Sequence, residues 1–300
     1  LLLGTMRMES RQITTEPIAP IEIPETAVEH FAQAIRIPTI APGNPQDFDS
    51  TAFRDFMDFL TMTYPLTDSL LDKKVFGDFS VLYQWKGSNP ELKPIILYGH
   101  LDVVGIPEEN LPDWKHPPFS GKIVDDTVWG RGAIDDKNVV VGLMESADLF
   151  LSQGYQPERS IAIVLGHDEE NGGHDGARLM GQYLEKQNFQ AEFLLDEGGY
   201  ISHGIVPDIE PKIALIGTAE KGYLSLSIST KIEGGHSSTP NPETAIGVLT
   251  EAVYKLQQNP FPARITGPVQ GFIDYVGPEL PFLKKMVFAN SDLLGSLIIN

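Results

Sequence analysis

Short apolar runs alternate with helical patterns from residue 26 to about residue 218, and this alternation predicts an α/β domain. The runs VLYQW and PIILYGH are almost continuously apolar, which is typical of strands covered on both faces. Phe53, Phe56 and Leu60 recur at helical spacing and predict the core-facing side of a helix. We therefore expect a mostly parallel sheet flanked by helices. The predicted strands are residues 81–85, 94–100, 160–165 and 191–195, and the predicted helices are residues 26–36, 50–64, 136–152 and 176–187.

The pattern changes near residue 219, where a second, smaller α+β domain is predicted. Residues 223–232 (YLSLSISTKI) alternate between apolar and polar positions, which is typical of a half-exposed antiparallel strand. A helix is predicted over residues 242–257. The proline-rich residues 16–24 (EPIAPIEIP) predict an extended arm. The predicted division is thus an arm (1–25), an α/β domain (26–218) and the smaller domain (219–300).

Composition and charge exclude several classes of function. With 41% hydrophobic and 21% charged residues, the 300-residue chain is typical of a globular protein. A formal net charge of −19 disfavours nucleic acid as a partner, because its recognition needs clustered lysine and arginine, and favours cations. The chain has no cysteine, which excludes disulfide bonds and thiolate metal sites.

In four segments, acidic residues or a histidine lie at the end of a predicted strand or in a glycine-flanked turn. The carboxyl ends of parallel strands meet at one edge of an open α/β sheet, so these side chains should converge in space. The segments are GHLD (His100, Asp102), GRGAIDDK (Asp135, Asp136, Lys137), HDEENGG (Asp168, Glu169, Glu170) and LDEGG (Asp196, Glu197).

Convergent carboxylates predict a metal centre, because such a group is costly unless a cation neutralises it. One histidine among oxygen ligands suits zinc, with cobalt or manganese as substitutes. Two metals that share a carboxylate would account for the number of acids and would activate one water. Hydrolysis also needs a base that is not a ligand, and adjacent acids can supply one of each. Asp102 is placed to accept a hydrogen bond from the ring nitrogen of His100 that does not bind metal.

These motifs, in this order, resemble the dizinc metallopeptidase family that includes aminoacylase, carnosinase, glutamate carboxypeptidase and carboxypeptidase S. The resemblance is closest to the branch of carboxypeptidase S and the N-acyl-amino-acid hydrolases. PPFSG, AEKG and GGHSSTP, at residues 117–121, 219–222 and 234–240, also look like that branch. The resemblance implies that residues 26–218 are the N-terminal part of a catalytic domain. It also implies that residues 219–300 are part of an inserted lid or dimerisation domain.

The resemblance further implies a role for each motif residue. His100 and Asp196 resemble ligands of one zinc, Glu170 resembles a ligand of the other, and Asp135 resembles the ligand that bridges them.

Three residues resemble the catalytic groups of the family. Glu169 resembles the general base that takes a proton from the bridging water, and Asp102 resembles the residue that orients His100. His236 resembles the lid histidine that polarises the scissile carbonyl, often across a dimer interface, so a homodimer is expected.

Other residues near the motifs are interpreted as supporting ones. Asp136 and Glu197 adjoin predicted ligands, and we interpret them as capping groups or as partners of the ligands. His167 is interpreted as a structural residue. Lys137 could neutralise the surplus acid charge or face solvent, and the sequence leaves both open.

The family places a further zinc-binding histidine near the end of a catalytic domain that resumes after the lid. The only histidine after His203 is His236, so we expect these 300 residues to be a piece of a longer chain. The second metal site would then be one ligand short, and activity of the piece alone is not assured. The apolar start, Leu1 to Leu3, matches the end of a signal or membrane anchor, which favours an extracytoplasmic location.

The resulting hypothesis is a zinc-dependent hydrolase that cleaves the amide of an N-acyl amino acid or of a short peptide with a free carboxylate. An aminopeptidase or dipeptidase of the same family is the alternative among enzymes. A catalytically inactive protein that binds peptide or metal is the alternative from another class. Substrates with blocked and with free amines distinguish the N-acyl hydrolase from the aminopeptidase or dipeptidase. Metal analysis distinguishes the enzymes from an inactive binding protein.

Overall fold

A computed structural model describes residues 1–236, 238–239 and 242–299 of the chain. The chain has two compact units, one of Ala19–Glu197 and one that joins Leu1–Ile18 with the chain from Gly198 onward. The helices are α1 (Leu2–Arg7), α2 (Glu25–Arg36), α3 (Ser50–Thr63), α4 (Pro65–Leu70), α5 (Lys137–Ser152), α6 (Ala177–Lys186), α7 (Ala245–Gln258), α8 (Gly267–Val276), α9 (Phe282–Phe288), α10 (Ser291–Leu294) and α11 (Ser296–Ile299). The strands are β1 (Ile40–Ala41), β2 (Asp72–Phe76), β3 (Ser80–Trp85), β4 (Ile95–His100), β5 (Val103–Val104), β6 (Lys122–Val124), β7 (Thr127–Trp129), β8 (Ile161–Gly166), β9 (Leu194–Leu195), β10 (Ile201–Ser202) and β11 (Ile213–Ala214).

A five-stranded sheet in the order β2-β3-β8-β4-β9 forms the centre of the first unit. Strands β8 and β9 both run parallel to β4, while β2 and β3 are antiparallel. His100 at the end of β4 is in register with Gly166 at the end of β8. The carboxyl ends of β4, β8 and β9 therefore meet at one edge, as the sequence predicts, and three of the four acidic segments begin there; the fourth, with Asp135, lies in the loop before α5.

Both faces of this sheet are covered by apolar side chains. On one face, Ile163 and Leu165 of β8 belong to a buried cluster with Phe56 of α3 and Met144 of α5. On the other face, Val164 packs in a second cluster, together with Met180 and Leu184 of α6. Because successive residues of a strand point to opposite faces, a strand covered on both sides must be apolar at every position. This explains the continuous apolar run of β8.

Helix α5 shows how the sequence fixes one of these layers. Its buried residues recur at helical spacing and form a single stripe. Full burial of an aliphatic side chain contributes about 1.5–3 kcal/mol to stability, so this stripe holds the first turn of α5 against the sheet. The buried residues are Lys137, Val140, Val141, Met144 and Ala147.

The second unit has a much smaller core. Ile209, Val276 and Leu280 form its buried cluster. Arg11 of the N-terminal arm pairs with Asp274 at 3.0 Å. The strand predicted over residues 223–232 is wrong, since the structure assigns no strand there and leaves Leu224 exposed. An antiparallel strand needs a paired neighbour, and no described strand of this unit pairs with these residues.

The predicted division of the chain at residues 25 and 218 stays a prediction. Among the described residues, no helix has the length and apolar character that a membrane span requires.

Candidate metal centre

Strand β4 delivers His100 to the carboxyl edge of the sheet, and the residues around it fix its ring. Both His100 and Asp102 are fully buried. His100 Nδ1 lies 3.0 Å from the main-chain oxygen of Asp102 and 3.4 Å from its carboxylate Oδ1. A proton on Nδ1 is donated to these oxygens, which leaves the lone pair of Nε2 for a metal. Burial alone would lower the pKa of His100, but Asp102, Glu197 and Asp136 raise it to about 10 in the metal-free chain.

Three carboxylates surround the free nitrogen of His100. Nε2 lies 2.9 Å from Oδ1 of Asp135, 3.5 Å from Oε2 of Glu197 and 3.9 Å from Oε2 of Glu169. His100, Asp135 and Glu197 each offer one ligand atom, and these atoms all lie within 4.8 Å of one another. This is the spacing of side chains that share one ion.

The loop that carries Asp135 is tied to β4 by the next residue. The Asp135–Asp136 peptide bond is cis. Oδ2 of the buried Asp136 accepts the backbone N–H of His100 at 3.1 Å, while its Oδ1 has no partner among the described residues. Burial raises the pKa of Asp136 to about 7. Asp136 therefore connects the strand bearing His100 to the loop bearing Asp135, in keeping with its interpretation as a supporting residue.

The loop after β8 is fixed by Asp102. Its carboxylate accepts the backbone N–H groups of Glu169 and Glu170 at 3.1 and 3.0 Å. Glu170 Oε1 in turn accepts the N–H of Val104 at 3.2 Å. Burial, with smaller contributions from neighbouring acids, raises the pKa of both Glu169 and Glu170. Asp102 thus acts on two sides, toward His100 and toward the pair of glutamates.

The segment after β9 presents Glu197 rather than Asp196 to His100. Asp196 Oδ1 accepts the backbone N–H of Glu197 at 2.9 Å, and the Glu197 side chain reaches Nε2 of His100. Burial, together with the negative charges of Asp135 and Glu169, raises the pKa of Glu197 to about 7. Sequence reasoning interpreted Glu197 as a supporting residue. The two acids are adjacent at a strand end, and only the backbone geometry decides which of them faces the histidine.

Glu169 lies beside an open cleft as well as beside the metal cluster. This cleft has a volume of about 390 Å³, and Glu169 and Asp196 both line it. Its other walls include the apolar side chains of Ile96, Leu184 and Leu194. Glu169 is therefore accessible from outside the sheet edge.

Two of the histidines singled out from the sequence, His167 and His236, lie outside the cluster. His167 is buried, and its Nδ1 lies 2.6 Å from the hydroxyl of Ser80, which fits its interpretation as a structural residue. His236 is exposed, and its Nδ1 lies 2.8 Å from the hydroxyl of Ser238. It belongs to the second unit, and its predicted role stays a prediction. Ser237 and Pro240 of the same motif lie outside the described residues.

The donor set fits a divalent metal. A single imidazole with carboxylate oxygens is the ligand chemistry of zinc, and cobalt and manganese accept the same set. Burial, and after it the repulsion between neighbouring acids, raises the pKa values of Glu169, Glu170 and Glu197. A bound cation would remove that repulsion. The fold and the cluster together define a metallohydrolase-like α/β domain with its metal centre at the carboxyl edge of the sheet.

Comparison with known proteins identifies the family. Residues 96–275 match peptidase family M20/M25/M40, and the chain belongs to this family. Its membership and the cluster around His100 imply a divalent metal. The family resemblance inferred from the sequence motifs is confirmed.

The relatives of the chain include a probable carboxypeptidase S-like protein 2 of Dictyostelium discoideum. It is 38% identical over 309 residues, which cover 99% of this chain and 59% of the relative. The N-fatty-acyl-amino acid synthase/hydrolase PM20D1 of Xenopus tropicalis is 38% identical over 274 residues, covering 90% of this chain and 53% of the relative. The chain therefore spans little more than half the length of these relatives. Among solved structures, human carnosine dipeptidase 1 matches with a TM-score of 0.49 and 18% identity over 60% of this chain and 40% of its own.

Proposed function

We propose that the chain forms the metal-binding part of a zinc-dependent amidohydrolase. Its substrates would be N-acyl amino acids or short peptides with a free carboxylate. The observation that carries this proposal is the position of His100 Nε2, which faces the carboxylates of Asp135, Glu197 and Glu169 within 3.9 Å.

The ligands are proposed from this geometry and from the family resemblance together. His100, Asp135 and Glu197 would hold one ion, with Asp196 as the ligand that the sequence motif suggests instead of Glu197. Asp135 and Glu170 would contribute to a second ion. When bound, divalent ions supply Lewis acidity and make water a better proton donor.

Glu169 is proposed as the general base. Its carboxylate lies 3.9 Å from His100 Nε2 without belonging to the three-residue metal group, so it is free to handle protons. Its raised pKa brings it closer to the working pH, where proton transfer is most effective. It would take a proton from the attacking water and deliver it to the nitrogen of the leaving amine. His236 would donate a hydrogen bond to the carbonyl oxygen as negative charge develops there.

The substrate class rests on the relatives and on the motifs. One relative is named as carboxypeptidase S-like and another as an N-fatty-acyl-amino acid synthase/hydrolase. Both names describe amide bonds next to a free carboxylate. Homodimerisation through residues 219–300 and anchoring of the N-terminus at a membrane are further proposals that rest on the resemblance alone.

Metal analysis combined with substrate pairs tests the proposal. We expect at least one zinc per chain after dialysis against zinc, and hydrolysis of N-acyl amino acids in preference to free-amine dipeptides. A preference for free amines would instead support an aminopeptidase or dipeptidase. Less than half an ion per chain, with no gain from added zinc or cobalt, would contradict the proposed function.

A further inference from the structure

We propose that residues 34–39, between the last turn of α2 and β1, form a bracket that sets the spacing between the segments carrying His100 and Asp135. The two anchoring side chains are Thr39 and Lys137. This inference rests on the proposed metal site and assigns it two positioning residues. Neither belongs to the group of side chains that faces the metal.

Thr39 fixes the segment that carries His100. The Thr39 side chain is fully buried, and its hydroxyl donates to the main-chain oxygen of Leu101. Its own main-chain oxygen accepts the N–H of Val103 at 2.9 Å. Leu101 and Val103 flank Asp102, and Leu101 directly follows His100, so the two bonds of Thr39 hold the segment that carries both residues. Strands β1 and β5 then continue the same contact in parallel.

Lys137 fixes the loop that carries Asp135. Its side chain is fully buried, and Nζ donates to the main-chain oxygens of Ala34, at 3.0 Å, and Ile37. Carbonyl groups at the end of a helix lack partners within the helix and can accept hydrogen bonds from such a donor. Nζ also lies 5.0 Å from the ring centre of Phe56. The backbone N–H of Lys137 closes the metal loop by donating to Gly132 O at 3.0 Å.

The sequence leaves two roles open for Lys137, and its hydrogen bonds point to a third. Nζ neither faces solvent nor pairs with an acid within 4.0 Å among the described residues. Instead it attaches the acidic loop to the end of a helix. Thr39 attaches the segment that carries His100 to the same short stretch of chain. Residues 34–39 therefore contact both the segment with His100 and the loop with Asp135.

Such a bracket matters because metal ligands must lie within a few tenths of an ångström of their ideal positions. Partners that orient ligands without touching the metal commonly change metal affinity by about 10–100-fold. The bracket can be removed with little disturbance. Ala34 O and Ile37 O also accept the N–H groups of Ile37 and Thr39, at 3.3 and 3.0 Å. A Lys137→Met variant therefore leaves these oxygens bonded and removes a buried ionisable group whose charged form is costly in an apolar environment.

The first test is amide hydrogen exchange in the metal-free chain, which needs no bound ion. Thr39→Val and Lys137→Met should each speed exchange about threefold or more in both segments, residues 100–104 and residues 132–140. Thr67→Val is the matched control, since Thr67 is an equally buried threonine whose hydroxyl donates to Asp148 instead. It should leave both segments unchanged. Acceleration confined to one segment, or an equal effect in the control, would overturn the bracket.

The second test is a Co²⁺ titration followed by absorption. The dissociation constant should rise about tenfold in Lys137→Met and Thr39→Val, while the unfolding midpoint of metal-free Lys137→Met stays level or rises. Thr39→Ser, which keeps the hydroxyl, should bind within twofold of the wild type, as should Thr67→Val. Unchanged affinity in both bracket variants would contradict the proposal. Failure of the wild type to bind Co²⁺ would contradict the proposed function instead, and hydrogen exchange would still decide on the bracket.

Discussion

The carboxylate of Asp102 accepts the backbone N–H of Glu169 at 3.1 Å. The residue next to the metal-facing histidine therefore also holds the loop that carries the proposed base. The main-chain oxygen of Asp102 makes the shorter contact with Nδ1 of His100, at 3.0 Å against 3.4 Å for the carboxylate, so the main chain makes the closer contact with His100 while the carboxylate holds the loop.

This division of tasks predicts the phenotype of Asp102→Asn. The variant keeps the main-chain bond to His100 but replaces one accepting oxygen by an amide that repels an N–H of the loop. We expect zinc affinity to change by less than about fivefold, whereas kcat falls about a hundredfold because Glu169 is misplaced. Zinc titration and steady-state kinetics on the same preparation measure both quantities. A loss of zinc affinity as large as the loss of kcat would mean that the carboxylate serves mainly to orient His100.

The proposed base predicts that, in the full-length protein, Glu169→Gln retains metal yet loses nearly all turnover. Glutamine has the same shape but takes up no proton, and removal of a general base typically costs about 10²–10⁴ in rate. The exposed Glu185 of α6 supplies a matched control, Glu185→Gln, which should keep both metal and rate. Metal content and kcat are measured together. Turnover of Glu169→Gln equal to that of the control would remove the base assignment.

The two acids after β9 predict unequal effects on metal binding. Glu197 reaches His100 Nε2 at 3.5 Å, while Asp196 accepts the N–H of Glu197. We expect Glu197→Gln to weaken zinc binding about 10–100-fold and Asp196→Asn to weaken it much less. Competition with a chelator of known affinity gives both constants. The reverse order would restore Asp196 as the ligand that the motif suggests.

Asp136 predicts a pH dependence of stability in the metal-free chain. Burial raises its pKa from 3.8 to about 7 in the folded state. The folded chain therefore retains a proton that the unfolded chain releases between about pH 4 and pH 7. This contribution to stability is fully present below about pH 4 and is lost as the pH rises through 7.

Asp136→Asn should remove this loss, because asparagine still accepts the N–H of His100 but does not ionise. The gain in unfolding free energy of the variant over the wild type should grow with pH, by about 1.4 kcal/mol for each pH unit between pH 5 and about pH 7. Urea unfolding of the chelator-treated proteins at about pH 5 and pH 8 measures it. A gain that is the same at both values would show that Asp136 is ionised throughout.

Sequence patterns predicted the central layer of the fold well, because burial on both faces leaves a strong signal. The apolar runs of β4 and β8 and the helical spacing in α3 and α5 were found within a few residues of their observed bounds. Strand β2 was missed. It reads DKKVF, and an edge strand exposed to solvent carries no apolar period.

The sequence predicts which residues come together in the site, but not which atoms each of them contacts. Motifs at strand ends indicated that His100, Asp135 and Glu169 would converge, since the topology of a parallel sheet brings those ends together. The choice between Asp196 and Glu197 depends on the direction of one backbone turn. The hydrogen-bond partners of Lys137 Nζ depend on where α2 ends, about a hundred residues earlier in the chain. Neither relationship leaves a local pattern in the sequence.

The central claim is that His100, Asp135 and Glu197 hold a divalent metal. Isothermal titration with Zn²⁺ of the wild type and of Asp135→Asn tests it most directly, because Asp135 lies nearest to His100 Nε2. The account predicts at least one zinc bound per wild-type chain and at least a tenfold weaker interaction in the variant. Equal binding by the two proteins, or less than half an ion per wild-type chain, would contradict it.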